Sequence, residues 1–258
     1  MSAGISGIDQ ELSHNTFDLA SLAVAASAAA DGGHVSRLPP GRVHVAAVDQ
    51  RSLSPAAAGQ PWSLAIDAVV GVTSRLSLGV SHSALALGRA RGGGGWCRTS
   101  DAHVCATSYN GGYLDARWAA PGLPRIDLLA RLGVDGVAPW KPVARLGAAV
   151  SRRAGRWWWG GQAEVAIALG NRALGNGDAV IAPLWGGRDL GRCAVWMQSG
   201  LRGPVDDFDE AFEIPVLVGG SLRVGPVVVG ARAGFAQLLG PQNSGNLRAG
   251  ELWLAWTR

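Results

Sequence analysis

Residues 64–80 read LAIDAVVGVTSRLSLGV. Leu64, Ile66, Ala68, Val70 and Val72 fall on every second position, with Asp67 and Gly71 between them. After Thr73-Ser74-Arg75 the alternation restarts as Leu76, Leu78 and Val80, against Ser77, Gly79 and Ser81. Successive side chains of an extended chain point to opposite faces, so each run has one apolar face and one polar or small face. Two such runs joined by three polar residues read as a hairpin.

The same pattern recurs along the chain. Ile126, Leu128, Ala130, Leu132 and Val134 alternate with Asp127, Arg131, Gly133 and Asp135. Ala163, Val165, Ile167 and Leu169 face away from Gln162 and Glu164, and Val227 to Phe235 alternates with Gly230, Arg232 and Gly234. Strands are expected near 42–49, 61–72, 75–87, 113–119, 125–135, 142–151, 156–169, 178–187, 192–202, 212–223, 226–237 and 247–257. Five connections are short and carry Arg: Thr73–Arg75, Ala120–Arg125, Ser151–Arg156, Arg188–Arg192 and Arg223–Pro226. Those between them are mostly longer and polar or Gly-rich: Gln50–Gln60, Gly88–Gly112, Asn171–Gly177, Gly203–Ala211 and Leu239–Asn246, with Gly136–Lys141 the brief exception.

The chain is 48% apolar and 16% charged, against about 25% charged in soluble domains. Yet no apolar stretch of 18 residues follows residue 40, and a membrane helix needs about 20. A transmembrane strand needs only about 9–11. Short turns on one side and longer loops on the other are the mark of an outer-membrane barrel. The expectation is an all-β, transmembrane, up-and-down antiparallel β-barrel of about twelve strands over residues 41–258, with ten or fourteen as neighbouring counts. The net charge of +4 is spread along strands rather than gathered in a patch, which leaves no footprint for nucleic acid.

Residues 1–40 stand apart. Leu19–Ala30 is a short apolar run ending in small residues, as before a signal-peptidase site, but residues 1–18 hold Asp9, Glu11 and Asp18 and no Lys or Arg. A secretory leader begins with positive charge. Three readings stay open: an export signal, a segment that plugs the lumen or lies in the periplasm, and a disordered tail. Of the 11 Trp, Trp62, Trp118, Trp140, Trp157, Trp159, Trp185 and Trp256 fall near expected strand ends, where barrels carry aromatic girdles. The rings of Trp157–Trp159 must point both ways.

Two stretches carry a family resemblance. Ala68–Val80 resembles a hairpin of the outer-membrane family linked to the meta-pathway of phenol degradation and its transporter-like relatives, in which a Gly-rich strand turns at Thr-x-Arg-Leu and returns as Leu-x-Leu-Gly. Ala168-Leu169-Gly170, followed by Leu174-Gly175-Asn176-Gly177-Asp178, is similar to the Pro-Thr-Gly … Gly-x-Gly-x-Asp loop of that group, with Ala168-Leu169 in place of Pro-Thr. The chain departs from the group at its last strand, which ends Leu254-Ala255-Trp256-Thr257-Arg258 rather than on an aromatic residue read during assembly. The resemblance implies a role in the uptake of small, often hydrophobic compounds and supplies no catalytic residue. The barrel reading places the protein in the bacterial outer membrane, with outer-membrane lipid, the barrel assembly machinery and small-molecule solutes as its partners.

The candidate site is the set of charged residues on the polar faces: Asp67, Asp115, Arg117, Asp127, Arg131, Arg145, Glu164 and Arg232. Mixed charges in a narrow lumen are expected to pair, because an isolated charge away from water is costly. They either fill the lumen or tune its selectivity. An Arg placed at Ile66, Leu128, Val165 or Val229 is expected to be costly, and at Asp127 or Gly133 far less so. Cys97 and Cys105, eight residues apart in the longest loop, are expected to form a disulfide, since exported thiols oxidise. A metal site with His103 is the alternative, although zinc usually takes four ligands at tighter spacing. Cys193 reads as a small apolar strand residue. Ser81-His82-Ser83 resembles a catalytic pairing, but adjacent strand residues face opposite ways. Asp206, Asp207, Asp209 and Glu210 offer oxygen ligands without the spacing of a calcium loop. No cofactor site and no enzymatic activity are expected. The leading function is a passive channel or transporter-like barrel for small molecules. The alternatives are a structural or surface-interaction barrel that conducts nothing, and a soluble lipocalin-like barrel holding an apolar ligand.

Overall fold

The computed structural model describes residues 37–54, 62–82, 95–98, 108–123, 125–241 and 243–258. The strands are β1 Val43–Ser52, β2 Trp62–Gly71, β3 Leu76–Ser81, β4 Gly95–Arg98, β5 Tyr109–Ala119, β6 Ile126–Val137 and β7 Trp140–Ala154. They continue as β8 Trp157–Ala168, β9 Ala179–Leu190, β10 Cys193–Pro204, β11 Ile214–Val224, β12 Val227–Leu239 and β13 Ser244–Thr257. A single helical turn, α1 Phe208–Ala211, sits between β10 and β11. Every pairing is antiparallel, each strand except β3 pairs with the next, and β1 closes on β13 with His44 opposite Thr257 and Ser52 opposite Ala249.

The wall has twelve positions, because β3 and β4 share one. β3 pairs with β2 through Val80 and Ala68, and β4 pairs with it through Trp96 and Leu64. Both also pair with β5. Three residues of β2 separate those two contacts, whereas fifteen separate Val80 from Trp96. The expected strand at 75–87 therefore ends early, at Ser81. There the His82 backbone N–H donates to the Asp67 carboxylate at 2.6 Å instead of continuing the ladder. The alternation of Leu85 and Leu87 concealed this in the sequence.

The short connections cluster at one end. Gly155-Arg156, Gly191-Arg192 and Gly225-Pro226 are two-residue turns whose glycines have φ of 60°, 85° and 60°. Such φ values suit the hairpin turns that match strand twist. The chain enters at this same end. Leu38 is buried at 1% exposure and donates its N–H to Ser77 at 2.9 Å, while Arg37 pairs with Asp127 at 3.5 Å. Ser77 and Asp127 both face inward, so residues 37–41 sit inside the mouth. Gly71 is required there: a Cβ on it would lie 2.0 Å from the Pro39 carbonyl oxygen. The earlier part of the 1–40 segment lies outside the described residues.

Facing follows the alternation. Ile66, Leu128, Val165 and Val229 are 40%, 42%, 46% and 47% exposed on the outer wall. Their polar neighbours Asp67, Arg131, Glu164 and Arg232 are buried. The expectation that an Arg at Gly133 costs far less than one on the outer face is corrected: a Cβ there would stand 2.1 Å from the Gly112 carbonyl oxygen. Its glycine marks tight packing of β6 on β5, so a large side chain does not fit.

Candidate functional site

The inside of the barrel is layered. Toward the short-turn end, Trp158, Trp185, Trp196 and Trp253 point inward from β8, β9, β10 and β13 and pack with Ala46, Val48, Ala65 and Ala255. Each ring needs a glycine on a neighbouring strand. A Cβ on Gly160 would meet the Trp185 ring at 2.5 Å, one on Gly187 the Trp158 ring at 2.5 Å, one on Gly219 the Trp196 ring at 2.6 Å, and one on Gly230 the Trp253 ring at 2.2 Å. Indole width is thus matched to missing side chains across the ladder. This layer was not legible as such, and Trp185 is corrected from girdle to lumen. The signal that could have revealed it is Gly-rich inner faces in register with Trp on adjacent strands. Trp157 and Trp159 do point outward while Trp158 points in, as their adjacency required.

Above the Trp layer lies charge. Arg232 is opposite Glu251 in the β12–β13 ladder and pairs with it at 2.5 Å. It also donates to Gln198 and lies 6.0 Å from the Trp196 ring centroid, joining the two layers. On the facing wall Arg131 and Arg145 are direct cross-strand partners, an arrangement of like charges that is unfavourable unless something intervenes. Glu164 does so. It accepts from Arg131 at 2.9 Å and stands 4.0 Å from Arg145. Its own cross-strand neighbour is Gly147, where a Cβ would lie 2.8 Å from Glu164 Cγ, so the glycine clears the path of the carboxylate. Arg131 also reaches Asp115 at 3.1 Å, and Arg145 reaches Asp135 at 3.2 Å. Tyr113 donates its hydroxyl to Asp135, receives a hydrogen bond from Arg145, and presents its ring 4.5 Å from that guanidinium.

All eight residues picked from the sequence project inward, and six gather into ion pairs. Asp115, Arg131, Arg145 and Glu164 form one network, Arg232 belongs to a second, and Asp127 holds Arg37 at the mouth. Asp67 instead accepts the His82 N–H, and Arg117 lines a cavity with Asp67, Ser77, Ser81, Asp115 and Arg131. That cavity measures about 30 Å³, room for two or three waters at roughly 10–15 Å³ each. Sequence reading missed Glu251, whose face is otherwise Ala249, Trp253 and Ala255, and Tyr113, whose neighbours Gly111 and Gly112 obscure the alternation.

The remaining candidates are structural. His82 is buried, contacts the Ile66 carbonyl, lies 3.1 Å from the Tyr109 hydroxyl through Nε2, and packs against the Trp96 and Tyr109 rings. Ser83 lies outside the described residues. Cys97 is buried on β4 and is not a free thiol, while Cys105 and His103 lie outside the described residues. Cys193, expected to pack, is exposed at the start of β10. Asp206 and Asp207 form a turn leading into α1, which holds Asp209 and Glu210, and no cluster of His, Cys, Asp or Glu with metal-ligand geometry occurs among the described residues.

The closed wall, its outward apolar face and its charged interior find their counterparts among solved membrane channels. The NanC porin superposes with a TM-score of 0.50 at 6% identity, over 83% of this chain and 98% of the porin. The fold is porin-like. An outer-membrane channel from Pseudomonas putida F1 superposes equally well, with a TM-score of 0.50 at 13% identity over 88% of this chain and 98% of that channel. At such identities the likeness is one of fold. No protein-family model matches the sequence, and no curated protein does. The porin-like barrel differs from a wide pore in that its inner side chains meet: residues from opposite walls are packed at the Trp layer, and ion pairs tie neighbouring strands together at the charged layer.

Proposed function

We propose that the protein is a passive channel of the bacterial outer membrane for small solutes, with its short turns in the periplasm. The observation that carries this reading is a closed twelve-position wall that is apolar outside and charged inside. Its barrel superposes on solved outer-membrane channels over nearly their whole length. The layered interior sets the solute class. Anything crossing must pass indoles whose N–H groups at Trp158, Trp196 and Trp253 have no protein acceptor among the described residues, then a band of balanced charge. Small amphipathic molecules carrying a hydrogen-bond acceptor fit both. The resemblance of Ala68–Val80 to the phenol meta-pathway outer-membrane family supports small, often hydrophobic compounds.

The packed Trp layer and the occupied mouth favour a second reading, a structural barrel that conducts nothing. Planar-bilayer recording decides between them. The channel reading expects a small unitary conductance and a measurable reversal potential under a salt gradient. A protein that inserts, resists unfolding on unboiled gels and carries no current refutes the channel and supports the structural barrel. We further propose that Cys97 and Cys105 are bridged, which would shorten the freedom of a Gly-rich loop. Non-reducing peptide mass spectrometry of exported protein should recover the linked pair, and free thiols at both positions would refute it.

A further inference from the structure

Outside the lumen, at the short-turn end, two arginines and two tryptophans are set in register. Arg152 of β7 is the cross-strand partner of Trp159 on β8, and Arg188 of β9 is the partner of Trp157 on β8. The guanidinium carbons lie 6.0 Å and 5.2 Å from the respective ring centroids. Both rings face outward, 48% and 60% exposed. The turns at the end of these strands add Arg156 and Arg192. The carboxylate near the tips of the two hairpins, Asp189, is engaged on the inner side by Arg153. Among the described residues, Arg152, Arg156, Arg188 and Arg192 have no carboxylate partner.

We propose that this quartet and the two hairpin tips bind the headgroup of an anionic phospholipid in the membrane leaflet at the short-turn end. The proposal is independent of whether solute passes the lumen, but it rests on the outer wall facing lipid. An exposed indole is most stable at the boundary between acyl chain and headgroup. Guanidinium is weakly hydrated and presents a planar fork that matches phosphate oxygens. Each ring holds its arginine flat against the wall, which lowers the rotamer entropy lost when phosphate is bound. Strands two apart are about 10 Å apart, so the arginines flank a phosphate seated over the Trp pair on β8. A zwitterionic headgroup would bring its ammonium into this uncompensated positive patch, so net negative lipid is selected. The opposite end carries Asp206, Asp207, Asp209 and Glu210 in its β10–β11 connection, and like charge there would repel the same headgroup.

The test is native mass spectrometry of the whole folded barrel in neutral detergent, titrated with phosphatidylglycerol and phosphatidylcholine in equal amounts. At about 1 kcal/mol per interfacial arginine, each guanidinium contributes roughly fivefold. Arg152 and Arg188 together should therefore contribute about 25-fold to the wild type's retention of phosphatidylglycerol over phosphatidylcholine, and R152Q/R188Q should lose that share of the preference. R51Q, at the other end of the wall, should keep it. R156Q/R192Q, which leaves the stacked pairs intact, should also weaken it and serves if the first variant does not fold. Equal retention of the two lipids by wild type, or an unchanged preference in R156Q/R192Q, overturns the proposal. So does displacement of the lipid by inorganic phosphate at matched concentration, which would make the patch a phosphate site. Heat-modifiable migration on gels reports the barrel separately, so loss of lipid preference in a folded barrel is not confused with failure of the membrane reading.

Discussion

At the residue scale, the same alternation gives opposite tolerances to opposite faces. An Arg at Ile66, Leu128, Val165 or Val229 would expose a guanidinium to hydrocarbon, at about 2–4 kcal/mol near the midplane. Urea titration of refolded barrel in vesicles should show each variant destabilised by that amount, and a neutral result at all four would remove the wall from the membrane. Small inner residues are strict for another reason. Gly230→Ala places a methyl 2.2 Å from the Trp253 ring. Overpacking of this kind typically costs about 1–3 kcal/mol. Its melting temperature should fall while that of Gly225→Ala, at a turn with open space around it but φ of 60°, falls for backbone reasons alone. Pairing Gly230→Ala with Trp253→Phe, which removes the clashing ring edge, should restore stability, and Gly225→Ala should not respond to that second change.

At the element scale, the β8–β9 connection holds itself together with polar contacts. Asp178 accepts from the Ala168 N–H at 2.8 Å and from Arg172 at 2.9 Å. Asn176 donates to the Pro142 and Gly170 carbonyls, and Lys141 donates to the Gly175 carbonyl. The Ala168 N–H, and then Arg172, hold the Asp178 carboxyl below the ordinary carboxylate range. A depressed carboxyl stabilises the fold above its unfolded pKa, and the effect is lost as pH falls through the lower folded value. Loop amides from Ala168 to Asn176 should therefore exchange slowly at neutral pH and loosen only under strong acid. In Asp178→Asn they should exchange faster at neutral pH already. Hydrogen exchange read by mass spectrometry checks this, and equal protection in the variant would show that the carboxylate does not hold the turn. At the mouth, Arg37→Ala removes the tie to Asp127, and the channel reading expects larger unitary conductance; an unchanged conductance would place the narrowest point at the Trp layer.

At the scale of the whole molecule, the charged band acts as a unit. Its members are not separable, because Glu164 is 2% exposed and serves both Arg131 and Arg145. Removing one partner of a buried pair strands the other, at about 3–5 kcal/mol. Glu164→Gln keeps the shape and should shift the reversal potential toward anions, while Arg131→Gln should shift it toward cations. Both should unfold at lower urea than wild type. Reversal potentials identical to wild type in folded, conducting variants would mean that ions do not pass this band.

What the sequence determined by itself is periodic and local. Alternation with period two in residues 64–80 and its repeats fixed the class, the facing of Ile66 and Asp67, and the short turns at Gly155, Gly191 and Gly225, because pleat and turn chemistry act between near neighbours. It also marked the charged residues that project inward, since a charge on an otherwise alternating strand has one inexpensive direction to point. Tertiary structure alone decided which of them meet. Glu164 lies between Arg131 and Arg145 because strand register brings three distant segments together, and Gly147 matters only beside Glu164. The same holds for the Trp layer: Trp253 and Gly230 are neighbours through the β12–β13 ladder, not through the chain. The break after Ser81 rests on a hydrogen bond from His82 to Asp67, fifteen positions back. Strand periodicity is written along the chain, whereas complementarity between a ring and a missing side chain exists only across it.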